Sequence, residues 1–234
     1  LQGVAPTTRL VGLMPTPALP ERALEERAAQ QSGEDMAGLL SIWGSPFGQP
    51  LLAELRMAQP DLFRLELLLD RTWAERALAP GAGRDPIIRG FARTSIDLSN
   101  VRSALLLSLQ GTDVDIGGVF LPGGDLLQER EFRQAAGAGG PDAALDVLAR
   151  GLAPSTFAGV LRTHQDISTL EEALLAEHIA QMGRVARREP NGLAPILTYV
   201  LRLRKQVIDL RRIIWGVALD VPRPALASDL GGGA

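Results

Sequence analysis

The 234-residue sequence contains no cysteine, which excludes disulfide frameworks and thiolate metal sites. Its two histidines, His164 and His178, lie well apart without a supporting ligand cluster. Each reads as a surface or hydrogen-bonded side chain, not as a metal ligand. Aromatic residues make up only 4% of the chain. Leu, Ala and Arg dominate instead, which favours helices packed through aliphatic seams over sheets. Lys205 is the single lysine among 24 cationic side chains, and the net charge is −3. No overall basic field is present to attract nucleic acid or an anionic membrane surface. Apolar runs are short: Ala104–Leu107 and Ile213–Leu219 fall far below the roughly 18 residues of a membrane-spanning helix. The first residues carry neither a signal-peptide core nor a starting methionine, so the expectation is a cut into a longer chain.

What the sequence does have is an internal repeat. Leu13-Met14-Pro15-Thr16-Pro17-Ala18-Leu19 is answered by Phe120-Leu121-Pro122-Gly123-Gly124-Asp125-Leu126, about 107 residues later. Glu21-Arg22-Ala23-Leu24 returns as Glu129-Arg130-Glu131-Phe132, and Leu65-Glu66 with Leu69 returns as Leu170-Glu171 with Leu174. Asn100-Val101-Arg102 is answered by Asp209-Leu210-Arg211. The landmarks keep their order and near-constant offset, which indicates a duplication. The glycine-rich joint at 111–118 separates the copies, and a second one, 137–140, sits inside the latter copy. The division expected is therefore one unit over residues 1–112 and a second over 113–234, with residues 220–234 as a fraying tail.

Each copy predicts the same run of elements. An extended Leu/Pro segment precedes a helix from about Pro20 or Leu127. A second helix follows the acidic starts Gly33-Glu34-Asp35 and Gly140-Pro141-Asp142, where early acids suit the helix dipole. A further helix opens near Pro60-Asp61 in the first copy. In the second it opens at Ser168-Thr169-Leu170-Glu171, which has capping-box spacing.

The final helix of the first copy has Asp85 as N-cap and Pro86 at its first position. Its core positions are expected at Ile87, Phe91, Leu98, Val101 and Leu105, interrupted by Thr94. Pro195 opens the final helix of the second copy. There Ile196, Val200, Leu203, Val207, Leu210, Ile214 and Val217 form an unbroken ladder of fours and threes, read as the core seam. Away from that seam lie Arg202, Arg204, Lys205, Asp209, Arg211 and Arg212. The seven-residue spacings Arg204–Arg211 and Lys205–Arg212 stack cations into a stripe. It reads as a solvated face or as a docking surface for an acidic partner, with Arg204, Lys205, Arg211 and Arg212 as the docking candidates.

Catalytic patterns are missing. The sequence has no phosphate-binding GxxxxGK[ST], GxGxxG, HExxH or GxSxG. Asp113 and Asp115 form a D-x-D in a glycine-rich stretch without a supporting strand pattern. Asp97 and Glu66 fall within apolar helical patterns and are expected to pair with Arg93, Arg102 or Arg64. No set of residues reads as a catalytic, cofactor or metal site.

The stretches Ile96-Asp97-Leu98-Ser99-Asn100-Val101-Arg102, Ile196-Leu197-Thr198-Tyr199 and Asp209-Leu210-Arg211-Arg212-Ile213-Ile214-Trp215-Gly216 carry a family resemblance. Leu121-Pro122-Gly123-Gly124 and Leu65-Glu66-Leu67-Leu68-Leu69-Asp70 add to it. Through them nearly the whole chain resembles the AC39 family, the C subunits of archaeal and bacterial V/A-type rotary ATPases and their equivalent, the d subunit, in the eukaryotic vacuolar proton pump. The resemblance implies an all-α funnel of three similar helical units in pseudo-threefold arrangement. Such a protein is a non-catalytic part of the rotor, without cofactor or small-molecule substrate. It seats the central-shaft subunits and rests on the proteolipid ring, so its membrane contact is indirect and it is peripheral at the cytoplasmic face. Two departures stand out: the chain shows two copies where the family has three, and Asp209 stands where the family tends to have Asn. On this reading residues 1–112 and 113–234 are the second and third copies. The alternative reading is a helical-repeat adaptor unrelated to rotary ATPases, binding a partner in its concave face.

Overall fold

The structure is a computed structural model that describes residues 21–30, 32–79, 85–110, 116–163 and 167–222. Among the described residues the protein is all-α, without a strand. The helices are α1 (Glu21–Ala29), α2 (Gly33–Ile42), α3 (Gly48–Leu55), α4 (Leu62–Leu78), α5 (Pro86–Gln110), the single turn α6 (Ile116–Val119), α7 (Glu129–Ala136), α8 (Pro141–Gly151), α9 (Thr156–Thr163), α10 (Ile167–Arg188) and α11 (Ala194–Ala218). By its internal contacts the chain falls into two compact units, Leu1–Arg76 and Ala77–Ala234. This division and the expected repeat boundary at 112/113 are different partitions, and residues 111–115 lie outside the described ones.

In the first unit α2 packs on α3. Ser32 caps α2 as a local signal should: its Oγ accepts the Asp35 amide at 3.1 Å, satisfying a donor that the helix cannot. The start of α3 approaches the end of α2 so closely that a Cβ on Gly48 would lie 2.3 Å from the Ser41 backbone nitrogen. Any side chain there would push the pair apart. Near the end of α3, Glu54 is buried and holds the corner into α4. It pairs with Arg64 at 3.1 Å and accepts the Asp61 amide at 3.3 Å.

The second unit is built around α5, which packs against α7, α8 and α10. Asp85 is its N-cap, with Oδ1 accepting the Ile87 amide at 2.8 Å. Ile96, Val101, Ala104 and Leu105 of α5 are buried, as are Phe132 of α7, Leu148 of α8, Phe157 of α9 and Leu170 of α10. Of the positions expected to be core, Val101 and Leu105 are buried, while Ile87, Phe91 and Leu98 are half-buried.

Two expectations need correction. The helix expected to open at Ser168 starts earlier, since α10 already includes Ile167, and Glu171 pairs across to Arg102 at 2.8 Å. The larger correction concerns α11. The ladder Ile196, Val200, Leu203, Val207, Leu210, Ile214, Val217 is not core: these residues are between 42% and 66% exposed. The face that packs, chiefly along α10, carries Ala194, Leu197, Thr198, Leu201 and Ile208. Of these, Ala194, Leu197, Leu201 and Ile208 form one apolar cluster with Leu175, Ile179 and Met182 of α10. The Thr198 hydroxyl is satisfied within the helix by donating to the Ala194 carbonyl at 2.7 Å. Small and self-satisfied residues on this side let two helices approach closely, whereas bulky aliphatics on the other side meet solvent.

Candidate partner-docking surface

Arg204, Lys205, Arg211 and Arg212 all lie on α11, but the structure separates them into two pairs. The Lys205 ammonium lies between Glu172 of α10, at 3.1 Å, and Asp209, also at 3.1 Å. Arg212 pairs with the other oxygen of Glu172. The hydrogen bond to Asp209 raises the Lys205 pKa most; burial opposes it, and Glu172 adds to it. Burial alone would raise the Glu172 carboxyl, but Arg212 and Lys205 together bring it below its ordinary value. This network clips α11 to α10 and leaves Lys205 only 21% exposed. Arg204 and Arg211 differ. Both are exposed, and among the described residues neither has an ion-pair partner. They border the solvent-facing ladder, whereas Lys205 and Arg212 sit at the packed side.

The polar residues within the second unit serve other ends. Asp97 is buried on α5 and among the described residues pairs with no arginine: Arg93 pairs with Asp125 and Arg102 with Glu171. Its Oδ2 instead accepts the amides of Asp125 and Leu126, and its Oδ1 that of Leu127, each at 3.0 Å. One turn on, Asn100 exchanges two hydrogen bonds with Leu121, donating at 2.8 Å and accepting at 2.9 Å. Together they fasten the Leu121–Leu127 loop to α5. The glycines of that loop follow from this docking, since a Cβ on Gly124 would lie 2.1 Å from Asp97 Oδ1. Gly123 adopts φ +107°, where an L side chain is strained. Burial pushes the Asp97 carboxyl up, and the three amides pull it back only in part. Asp97 thus braces a loop and has no place in a catalytic pair.

His178 of α10 is neither exposed nor fully satisfied. It stacks on Phe91 with centroids 5.3 Å apart and meets Phe157 edge-on at 6.3 Å, while its Nε2 has no hydrogen-bond partner. Burial first, and the nearby charge of Arg204 second, lower its pKa to about 4. His164, Asp113 and Asp115 lie outside the described residues. Among the described residues no cluster of three His, Cys, Asp or Glu side chains could hold a metal ion, and no helix is long and apolar enough to cross a membrane.

A family described as ATP synthase (C/AC39) subunit matches residues 5–227. The chain belongs to that family. It is similar to the C subunit of the A-type ATP synthase from Halorubrum lacusprofundi, 27% identical over 179 residues, with 72% of this chain and 49% of the relative covered. It is also similar to the protein of the same name from Halobacterium salinarum, 26% identical over 223 residues, covering 88% of this chain and 61% of that relative. A third protein of that name, from Desulfurococcus sp., is 25% identical over 185 residues, covering 75% and 48%. The chain thus spans about half to three-fifths of the length of these curated relatives.

Proposed function

We propose that this chain acts as part of a central-stalk rotor component of a V/A-type ATPase, coupling the central shaft to the membrane proteolipid ring. The observation that carries the reading is the family match across residues 5–227, together with the A-type ATP synthase relatives. On this reading the protein is non-catalytic and peripheral at the cytoplasmic face, and it touches the membrane only through the ring. Stiff packed helices suit the work, because close-packed interiors transmit strain instead of absorbing it.

We also propose that the chain holds two copies of one unit, residues 1–112 and 113–234. Helix order supports this: α1 to α5 and α7 to α11 run in the same sequence, each set closing on a 25-residue helix. The openings Glu21 and Glu129, Gly33 and Pro141, Gly48 and Thr156, and Pro86 and Ala194 are equally spaced. For docking, Arg204 and Arg211 are the better candidates, since Lys205 and Arg212 already serve Glu172.

The test is affinity capture of the protein from gently solubilised membranes. Co-recovery of proteolipid and nucleotide-binding ATPase subunits is the expected result. Intact recovery without any stalk or ring component would sink the rotor role and leave the adaptor reading.

A further inference from the structure

The exposed face of α11 is too regular to be a random scatter of surface aliphatics. Ile196, Val200, Leu203, Val207, Leu210, Ile214 and Val217 alternate spacings of four and three over three heptads. That is the a/d seam of a coiled coil, about 32 Å long at the helical rise. The same helix buries a different face against α10, and the ladder lies outside that packed face, 42% to 66% exposed. In heptad terms Arg204 and Arg211 occupy successive flanking e positions along one edge, exposed and without an ion-pair partner among the described residues.

We propose that this seam is the docking site for an amphipathic helix of another protein, one bearing acidic side chains opposite Arg204 and Arg211. The inference rests on the docking reading of those arginines and is independent of the rotor role, whichever protein supplies the helix.

Charge decides against a second copy of this chain. In a parallel pair Arg204 and Arg211 would face Tyr199 and Gln206, and in an antiparallel pair they would face each other. Neither arrangement supplies an acid, whereas carboxylates at the facing positions complete both pairs. Periodicity decides against a lipid surface. An interfacial helix carries a broad apolar face with cations along its margins. Here exposed Tyr199 and Ile213 widen the apolar ladder on its g side, while the exposed guanidiniums of Arg204 and Arg211 at heptad spacing line only its e edge.

The test uses two synthetic three-heptad peptides with Ile and Leu at a and d, one with Glu and one with Lys at every e and g position. Like-charge repulsion keeps each unpaired, so helix gained on mixing with the 234-residue chain, followed by circular dichroism, reports binding. The Glu peptide is expected to bind about tenfold or more tightly than the Lys peptide at low salt. The double variant Arg204→Glu/Arg211→Glu is expected to reverse that order. Leu203→Asp/Leu210→Asp, at exposed positions, is expected to abolish binding while the chain keeps its own helix content.

Equal binding of both peptides would overturn the proposal, as would no binding of either or binding that survives Leu203→Asp/Leu210→Asp. So would self-association of the chain through the same residues in sedimentation, or a preference for anionic vesicles lost in the same variants. These outcomes are separable from failure of the rotor reading, because no ATPase component takes part in the measurement.

Discussion

α5 and α11 are both 25 residues long, both carry a proline in the first turn, and both close a run of five helices. They differ in what surrounds them. α5 is enclosed by α7, α8 and α10, while α11 packs chiefly along α10 alone. The enclosed helix can carry buried Asp97 and Asn100 because the 121–127 loop arrives with amides to meet them. The open helix keeps its charges near the surface, tied into a network with Glu172, and turns its bulkiest aliphatics to solvent. The contrast teaches that helix length and period do not decide a role. The number of neighbours does.

The sharpest way to break the enclosed half is to remove Asp97. Asp97→Ala leaves three amide donors, that of Leu127 buried and those of Asp125 and Leu126 partly so, without their acceptor and is expected to cost about 3 kcal/mol. Asp97→Asn keeps one acceptor but turns donor hydrogens toward the loop, and is expected to cost about half as much. Chemical denaturation followed by circular dichroism measures both. A loss below about 1 kcal/mol for the alanine variant would mean that water replaces the carboxylate and that the brace is not structural.

The junction between the two helices can be probed by pH. His178 is stacked on Phe91 of α5 and feels the charge of Arg204 on α11. Its imidazole stays neutral in the folded chain down to about pH 4, whereas an unfolded histidine binds a proton near 6.5. Between those values the unfolded state holds more protons, so stability falls as the pH is lowered through that window. The loss reaches up to about 3 kcal/mol at its acid end. His178→Phe keeps a ring against Phe91 and is expected to flatten this part of the pH dependence. Comparing denaturation midpoints of the two proteins at pH 7 and pH 5 isolates the histidine from other titrations.

Local chemistry explains which features could be read from the residues. Glu34-Asp35 at the opening of α2, and Asp85-Pro86 before α5, act on their own helix, so the starts of these helices were legible without a fold. The eight-residue helices α3 and α9 were not, since Gly48 and Thr156 open them without a strong signal. The fate of Asp97 depended on amides some thirty positions away, while nearby arginines offered a false partner. The Gly123-Gly124 pair was the one visible hint that something approaches closely. The α11 ladder was misread for a different reason. A heptad pattern records that a face is apolar, but not whether its cover belongs to the same unit. The docking stripe was half legible: seven-residue spacing aligned four cations, yet only burial separates Arg204 and Arg211 from Lys205 and Arg212.

The smallest expected effect is the most discriminating for that last point. If the exposed ladder plays no part in folding, Leu210→Ala and Ile214→Ala should each change stability by less than about 0.5 kcal/mol, the range of surface substitutions. Their neighbour on the packed face, Leu201, is buried and lies where truncation would open a cavity. A thermal or denaturant midpoint unchanged in the two ladder variants would place the seam outside the fold of this unit. A loss comparable to a core truncation would mean instead that another segment of the same chain covers it. In that case, the aliphatic face of α11 would be an internal seam with no surface left for a partner.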